Sequence, residues 1–334
     1  MEQPTTIGID LARTVFQLHG VDASGGAILK RKLRRGQVLE FFARRDPCLV
    51  GMEACAGAHY WARELAALGY EVRIMPPSYV KPYVKRGKTD QADAEAICEA
   101  VTRPTMRFVP VKSAERQAAL LDHKTRDFLV RQRTQLINTI RAHLSEFGIV
   151  VAKGIHNIER LLEAAKDLPA AARPAVDMLA DQLRETQEKI DAVTDRIETA
   201  QETDPLARRL ATIPGVGAIT ASAIAATTPE VDNSRSARDY AAWLGLTPQP
   251  HSSGGRERLG RISKAGNRYL RRLLYLGAMA QISARRAGRP GDDWLWRMLE
   301  KKPVKVVAVA LANRMARVVW ALIATGESYR ASPA

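Results

Sequence analysis

The stretch KRGKTDQADAEAI, residues 85–97, sets Asp90 and Asp93 three apart at the start of a helix, directly behind Lys85, Arg86 and Lys88. Carboxylates at i and i+3 share one helical face, and they repel unless a cation or a proton stands between them. Two readings follow: acids complementing a helix N-terminus, or half of a metal site. The residues upstream decide between them. TTIGID, VFQLHGVD and GGAILKRKL read as three strands joined by tight turns, and CLVGMEA as a fourth strand carrying Glu53 at its end. GAHYWARELAALG is an amphipathic helix closed by Gly69, and YEVRIM is a fifth strand before Pro76 and Pro77. The helix of the opening stretch then runs from about Gln91 to Val101. A three-stranded meander followed by β-α-β-α is the element order of the ribonuclease-H-like fold, so residues 1–110 are expected to form an α/β domain of that class.

In such a sheet the first and fourth strands are neighbours. Asp10 at the end of IGID and Glu53 at the end of GMEA would meet at one edge, with Asp90 and Asp93 brought to the same place by the following helix. Taken singly, each acid has an ordinary explanation as a turn or helix-start residue. Four carboxylates in one cleft cannot all ionise without cations, and hard oxygen donors suit Mg²⁺, with Mn²⁺ as the alternative. Two such ions about 3.5–4 Å apart hold the attacking and leaving oxygens of a phosphodiester in line.

The charge balance points the same way. Fifty-one Lys and Arg stand against 36 Asp and Glu, a formal charge of +15, which suggests a polyanionic partner such as nucleic acid. The three cysteines, Cys48, Cys55 and Cys98, form no CxxC pair and suit a reducing cytoplasm, and the N-terminus carries no signal-peptide pattern. The apolar run PVKVVAVALANRMARVVWALIATG is broken by Lys305, Arg314 and Arg317 and reads as a buried helix rather than a membrane span.

Residues 111–204 read as long helices. Leu129, Leu136, Ile140, Leu144 and Phe147 fall near one face of a helix over 113–147. From Val176 the apolar positions Leu179, Leu183, Ile190, Val193, Ile197 and Ala200, with Thr186 interrupting, keep a 3-4 spacing. That heptad seam favours a coiled coil and self-association, as a dimer or tetramer, over a hairpin packed within one chain.

Residues 205–334 form a third, mainly helical region. In LATIPGVGAITASAIAA, Gly215 and Gly217 stand at a turn between two helical segments, either a helix-hairpin-helix presenting backbone N–H groups to phosphate or a plain glycine corner. TPQPHSSGGRERLGRISKAGNRYLRRLL then runs from a Ser-Gly-Gly loop into a basic helix, with ten Lys and Arg against one acid between 254 and 289. Gly254 and Gly255 would let a phosphate approach the backbone. Arg256, Arg258, Arg261, Lys264, Arg268, Arg271 and Arg272 suit phosphate contact, the last four on one helical face.

Taken together, IGIDLARTVFQLHGVD, the run from VGMEACAGAHYW to KTDQADAEAI, IPGVGAITASAIAA, WLGLTPQPHSSGGRERLGRISKAGNRYLRRLL and the closing helix resemble the DEDD transposases of bacterial insertion sequences, the IS110 family with its IS1111 subgroup. Their N-terminal domain is similar to Holliday-junction resolvases, and the resemblance covers nearly the whole chain. It implies that Asp10, Glu53, Asp90 and Asp93 are the family's four metal-binding acids and that Ser253 is the nucleophile of a recombinase route. It also implies a bacterial cytoplasmic protein acting on element ends and target DNA, guided by a structured RNA that pairs with both. A serine hydroxyl needs a base or metal to activate it. Ser253 lies 160 residues beyond Asp93, so the two halves of such a site would have to dock. Ser252 is the alternative nucleophile and His251 a candidate base.

Three other classes compete. A structure-selective Mg²⁺ nuclease would use the acids alone and survive loss of the serine. An actin-like ATPase or sugar kinase also begins IGID, but Leu11, Ala12 and Arg13 replace its phosphate loop. A non-catalytic nucleic-acid-binding protein fits the charge, yet the four acids would then repel its partner.

Overall fold

The computed structural model describes residues 3–85, 87, 89–228, 234–252, 254–256, 258–288 and 293–330. The chain forms two compact units, residues 1–117 and 118–334.

In the first unit β1 (Thr6–Leu11), β2 (Val15–Val21) and β3 (Ala27–Arg34) form an antiparallel meander, as the three apolar runs led one to expect. Helix α1 (Val38–Ala43) follows, then β4 (Leu49–Glu53), α2 (Ala58–Ala67) and β5 (Glu71–Met75). The sheet order is β3-β2-β1-β4-β5, with β4 parallel to β1 and β5 parallel to β4. A short helix α3 (Pro77–Val80) leads to α4 (Asp90–Val101). Strand alternation sends successive side chains to opposite faces. One face, with Ile7, Ile9, Phe16, Val50 and Met52, packs on Trp61 and Leu65 of α2 and Phe42 of α1. The other is covered by α4, whose Ala96, Ile97, Ala100 and Val101 are buried.

Helix α4 lies unusually close to the sheet. Gly8 of β1 and Gly51 of β4 are registered opposite each other. A Cβ at Gly8 would stand 2.3 Å from the Ala94 carbonyl oxygen and 2.4 Å from the Cys98 nitrogen, and one at Gly51 would stand 2.8 Å from Val101 Cβ. The two glycines clear a groove that the α4 backbone fills at Gly8 and the Val101 side chain fills at Gly51.

The second unit takes up most of α5 (Ala114–Ser145), followed by α6 (Ile158–Ala164) and α7 (Arg173–Thr203). Here α7 runs antiparallel to α5. Arg126 Nε donates to Thr194 Oγ1 at 2.8 Å, Arg133 Nη1 to Gln187 Oε1 at 2.7 Å, and Arg196 Nη2 to Asp122 Oδ1 at 2.7 Å. The α7 seam is buried as Val176, Ala180, Leu183, Thr186, Ile190, Val193 and Ile197. Leu136, Ile140 and Leu144 of α5 cover its N-terminal half, while its C-terminal half meets α8 and α9. Thr186 interrupts the seam without an unmet bond, since its hydroxyl donates to the Gln182 carbonyl at 2.7 Å. The heptad is therefore consumed within one chain, as the hairpin alternative held, and it does not by itself report self-association. Phe147, expected on the buried face of α5, is 49% exposed because the helix has ended two residues earlier.

Next come α8 (Pro205–Leu210), α9 (Ala218–Thr227), α10 (Ala237–Trp243), β6 (Pro248–Pro250), β7 (Leu259–Ile262), α11 (Arg268–Arg286), α12 (Asp293–Lys301) and α13 (Val304–Thr325). Their core gathers Ile224, Tyr240, Leu270, Leu274, Leu311 and Val319. By length and composition alone α13 could cross a membrane. Its Val307, Ala308, Leu311, Ala312, Met315 and Ala316 are instead buried in this core, as expected from its interrupting charges.

Candidate functional site

The last registered pair of β1 and β4 is Ile9 with Met52, so Asp10 and Glu53 are the next residues on neighbouring parallel strands. Each lies two positions beyond its glycine, Gly8 or Gly51, and so faces the side that α4 covers. Helix α4 is antiparallel to β1: Cys98 reaches the Thr6 carbonyl near the strand's start, which sends the helix N-terminus toward Asp10. Thr89 caps that helix, its hydroxyl accepting from Ala92 N–H at 3.2 Å. The cap fixes where Asp90 and Asp93 fall.

Electrostatics record the approach. The Glu53 carboxyl is pushed above its ordinary value of 4.5 by burial first, then by the charges of Asp10 and Asp93. Asp10 and Asp93 thus lie near enough to Glu53 to act on it by charge. Asp90 is exposed, at the first residue of α4. These hard oxygen donors fit a divalent cation chemically. Among the described residues no three His, Cys, Asp or Glu side chains are close enough to share an ion.

The Ser-Gly-Gly loop connects β6 to β7. Ser253 lies outside the described residues, as do Arg86 and Lys88. Its neighbours are held by the hairpin. His251 N–H donates to the Arg258 carbonyl at 2.7 Å, and Arg258 N–H donates to Ser252 Oγ at 3.3 Å. The His251 ring lies over Gly260, where a Cβ would be 2.6 Å from it. Gly254 and Gly255 take φ of 56° and 77° in the turn.

Several of the candidate nucleic-acid residues have internal tasks. Lys85 pairs with Glu95 at 2.6 Å. Gly215, at φ 78°, packs on α11, where its Cβ would be 2.7 Å from the Gly277 carbonyl, whereas the space beside Gly217 is open. Arg271 donates to the carbonyls of Leu244 and Ala265 at 2.8 and 2.7 Å, and Arg272 pairs with Asp127 and lies over the Tyr269 ring. Arg256, Arg258, Arg261, Lys264 and Arg268 are exposed. Lys264 does not share a helical face with the arginines. It sits before α11 at φ 54°, because Asn267 caps that helix by accepting from the N–H groups of Tyr269 and Leu270.

Comparison with known proteins places this arrangement. Residues 7–149 match the DEDD transposase model of the IS110 type, and residues 207–290 match the model described as the transposase IS116/IS110/IS902 family. The transposase for insertion sequence element IS1328 of Yersinia enterocolitica is 38% identical over 334 residues, covering 98% of each chain. The chain belongs to the IS110 family of insertion-sequence transposases. Also similar are the y4pF/y4sB protein of Sinorhizobium fredii, assigned to the transposases, at 47% over 99% of this chain and 87% of its own, and the transposase for IS1111A of Coxiella burnetii, at 36% over 99% and 92%. Transposases of this family cut and join DNA strands, and DEDD-type transposases commonly use divalent metal ions.

Sequence reasoning overlooked what positions this transposase's acids. The signal was present as a repeated Gly-x-acid pattern, Gly8 before Asp10 and Gly51 before Glu53, and as Thr89 immediately before Asp90. It also missed His123, buried between α9 and α11 with its ring nitrogens 3.1 Å from Ser222 Oγ and 3.3 Å from Tyr269 Oη. Burial lowers that histidine to about 4, so it is neutral near pH 7 and binds the helices together.

Proposed function

We propose that this transposase joins DNA by a serine recombinase route, with a ribonuclease-H-like unit as the metal-dependent half of the site. The observation that carries the reading is the convergence of Asp10, Glu53 and Asp93 at one end of two parallel strands under a capped helix. The 3-2-1-4-5 strand order supports the fold assignment. Asp10, Glu53 and Asp93, with Asp90, would hold Mg²⁺ or Mn²⁺, which supplies charge neutralisation at the scissile phosphate and acidifies a bound hydroxyl. Ser253 Oγ attacks phosphorus, one strand leaves as a hydroxyl and the other stays as a phosphoserine ester. A hydroxyl from the second strand then displaces the serine and forms the new phosphodiester, so no bond energy is lost to water. Ser252 is occupied in closing the hairpin, which supports Ser253 over it.

A structured RNA as guide, pairing with element end and target, is part of this reading and rests on the family resemblance together with the basic charge. Self-association as a dimer or tetramer finds support in α5, where Leu121 and Phe128, seven apart, are 60% and 58% exposed. A bacterial cytoplasmic location follows from the DNA substrate.

The test incubates purified protein with Mg²⁺, element-end DNA and RNA transcribed from the flanking region, comparing wild type with Ser253→Ala and Asp10→Ala on denaturing gels. Both substitutions should abolish joining, and Ser253→Ala should remove any DNA covalently attached to protein. Cutting by Ser253→Ala but not by Asp10→Ala would make the protein a hydrolytic nuclease instead.

A further inference from the structure

Strand β3 is the edge of the first unit's sheet, and its sequence AILKRKLR carries four cations and no acid. Alternation divides them between the two faces. Arg31 stands on the face packed by α1, its guanidinium 5.5 Å from the centre of the Phe41 ring. Lys30, Lys32 and Arg34 belong to the other face, which holds Gly8, Asp10 and α4. The register assigns them there: Lys30 pairs with His19, Lys32 with Gln17 and Arg34 with Val15 on β2. On the far side of β2, Gly8 pairs with the same His19 and Asp10 with the same Gln17. Glu95 of α4 reports the same side. Its carboxyl is held below the ordinary value by the hydrogen bond from Lys85 first, and by the charge of Lys30 as well.

Asp10, Gln17 and Lys32 therefore form one row across the sheet, about 10 Å long at two strand spacings. Lys30, Lys32 and Arg34 form a second row along the edge, in steps of about 7 Å, close to the step between successive phosphates of a nucleic-acid strand. All three are exposed, and α4 packs chiefly on β1, β2 and β4, so it leaves this edge open. Cations on an edge strand also discourage pairing with another sheet. That purpose is served by charge on either face and does not call for three cations on the face of the acids. We propose that Lys30, Lys32 and Arg34 grip the DNA backbone flanking the cleaved phosphate, with Gln17 as a neutral donor between them and the acids. The inference rests on the acid cluster being where DNA is cut. Phosphate contacts fix register and carry no sequence information, so these residues position the strand rather than select it.

Fluorescence anisotropy with the full chain tests it, using labelled element-end duplex DNA in EDTA so that binding is read without cutting. Lys30→Gln/Lys32→Gln/Arg34→Gln should weaken binding by about tenfold or more and lower the slope of log K against log salt by about 2.7, the loss of three phosphate contacts. Lys166→Gln/Arg184→Gln/Lys189→Gln removes the same charge from exposed ion pairs of the second unit and should leave the slope unchanged. If the first variant unfolds by circular dichroism, Lys32→Gln alone should lower the slope by about 0.9. Benzoylphenylalanine in place of Lys32 should photocrosslink to the duplex. A slope unchanged in the β3 variants overturns the proposal, as do crosslinks to RNA transcribed from the flanking region with none to DNA. Aggregation of the triple variant with DNA binding intact also overturns it and assigns the cations to edge protection. None of these readouts requires cleavage, so they succeed or fail independently of the Asp10→Ala and Ser253→Ala comparison that tests the metal and serine reading.

Discussion

Gly8 has no chemistry of its own, yet the acid site depends on it. With the Ala94 carbonyl 2.3 Å from where a Cβ would be, Gly8→Ala must lift α4 off the sheet and carry Asp93 away from Asp10. The expected cost is that of overpacking, about 1–3 kcal/mol by urea unfolding, with cleavage falling further than stability explains. A second consequence concerns Glu53. Its carboxyl titrates above 4.5 in the folded chain, so the folded state takes up a proton more readily than the unfolded one. Stability from this group is present below pH 4.5 and is lost as pH rises through the elevated value. In EDTA, Glu53→Gln should therefore raise the thermal midpoint at pH 8, and the gain should disappear toward pH 4. A midpoint unchanged at both pH values would show that neither burial nor the charges of Asp10 and Asp93 raise it.

Among the elements, the five strands of the first unit and most helices were legible because period-2 and period-3.6 patterns are written locally, whereas β6 and β7 were read as loop. The α7 heptad was equally legible, but a seam records only that a partner exists. That the cover comes from α5, α8 and α9 of the same chain depends on side chains distant in sequence, such as Leu144 facing the region of Val176. The basic run before α11 misled for a related reason: Asn267, a cap, stops the helix short of Lys264. His123 fastens α5 to α9 and α11, and its depressed pKa has a measurable sign. Between pH 6.5 and about 4 the unfolded chain binds a proton there that the folded chain refuses. Stability should fall by about 3 kcal/mol over that window, and His123→Gln should flatten this part of the profile in pH-resolved thermal unfolding.

For the whole molecule, charge and exposed apolar surface set the behaviour. Phe128 is 58% exposed on α5, so Phe128→Asp should leave the unfolding midpoint of dilute protein unchanged while shifting sedimentation velocity toward the monomer. Persistence of the wild-type sedimentation pattern would move the self-association surface elsewhere.

By itself the sequence determined the five strands, the helix carrying Asp90 and Asp93, the identities of the acids and the basic balance of the chain, because each is a property of composition or of spacing along one element. The tertiary structure decided which acids approach one another. It placed Asp10 and Glu53 on neighbouring strand ends, drew Asp93 in through the Gly8–Gly51 groove and left Asp90 exposed. It also decided which cations are already spent, Arg271 on carbonyls and Arg272 on Asp127. A side chain's partner is chosen by the packing of elements far apart in the chain, and no local pattern records that choice.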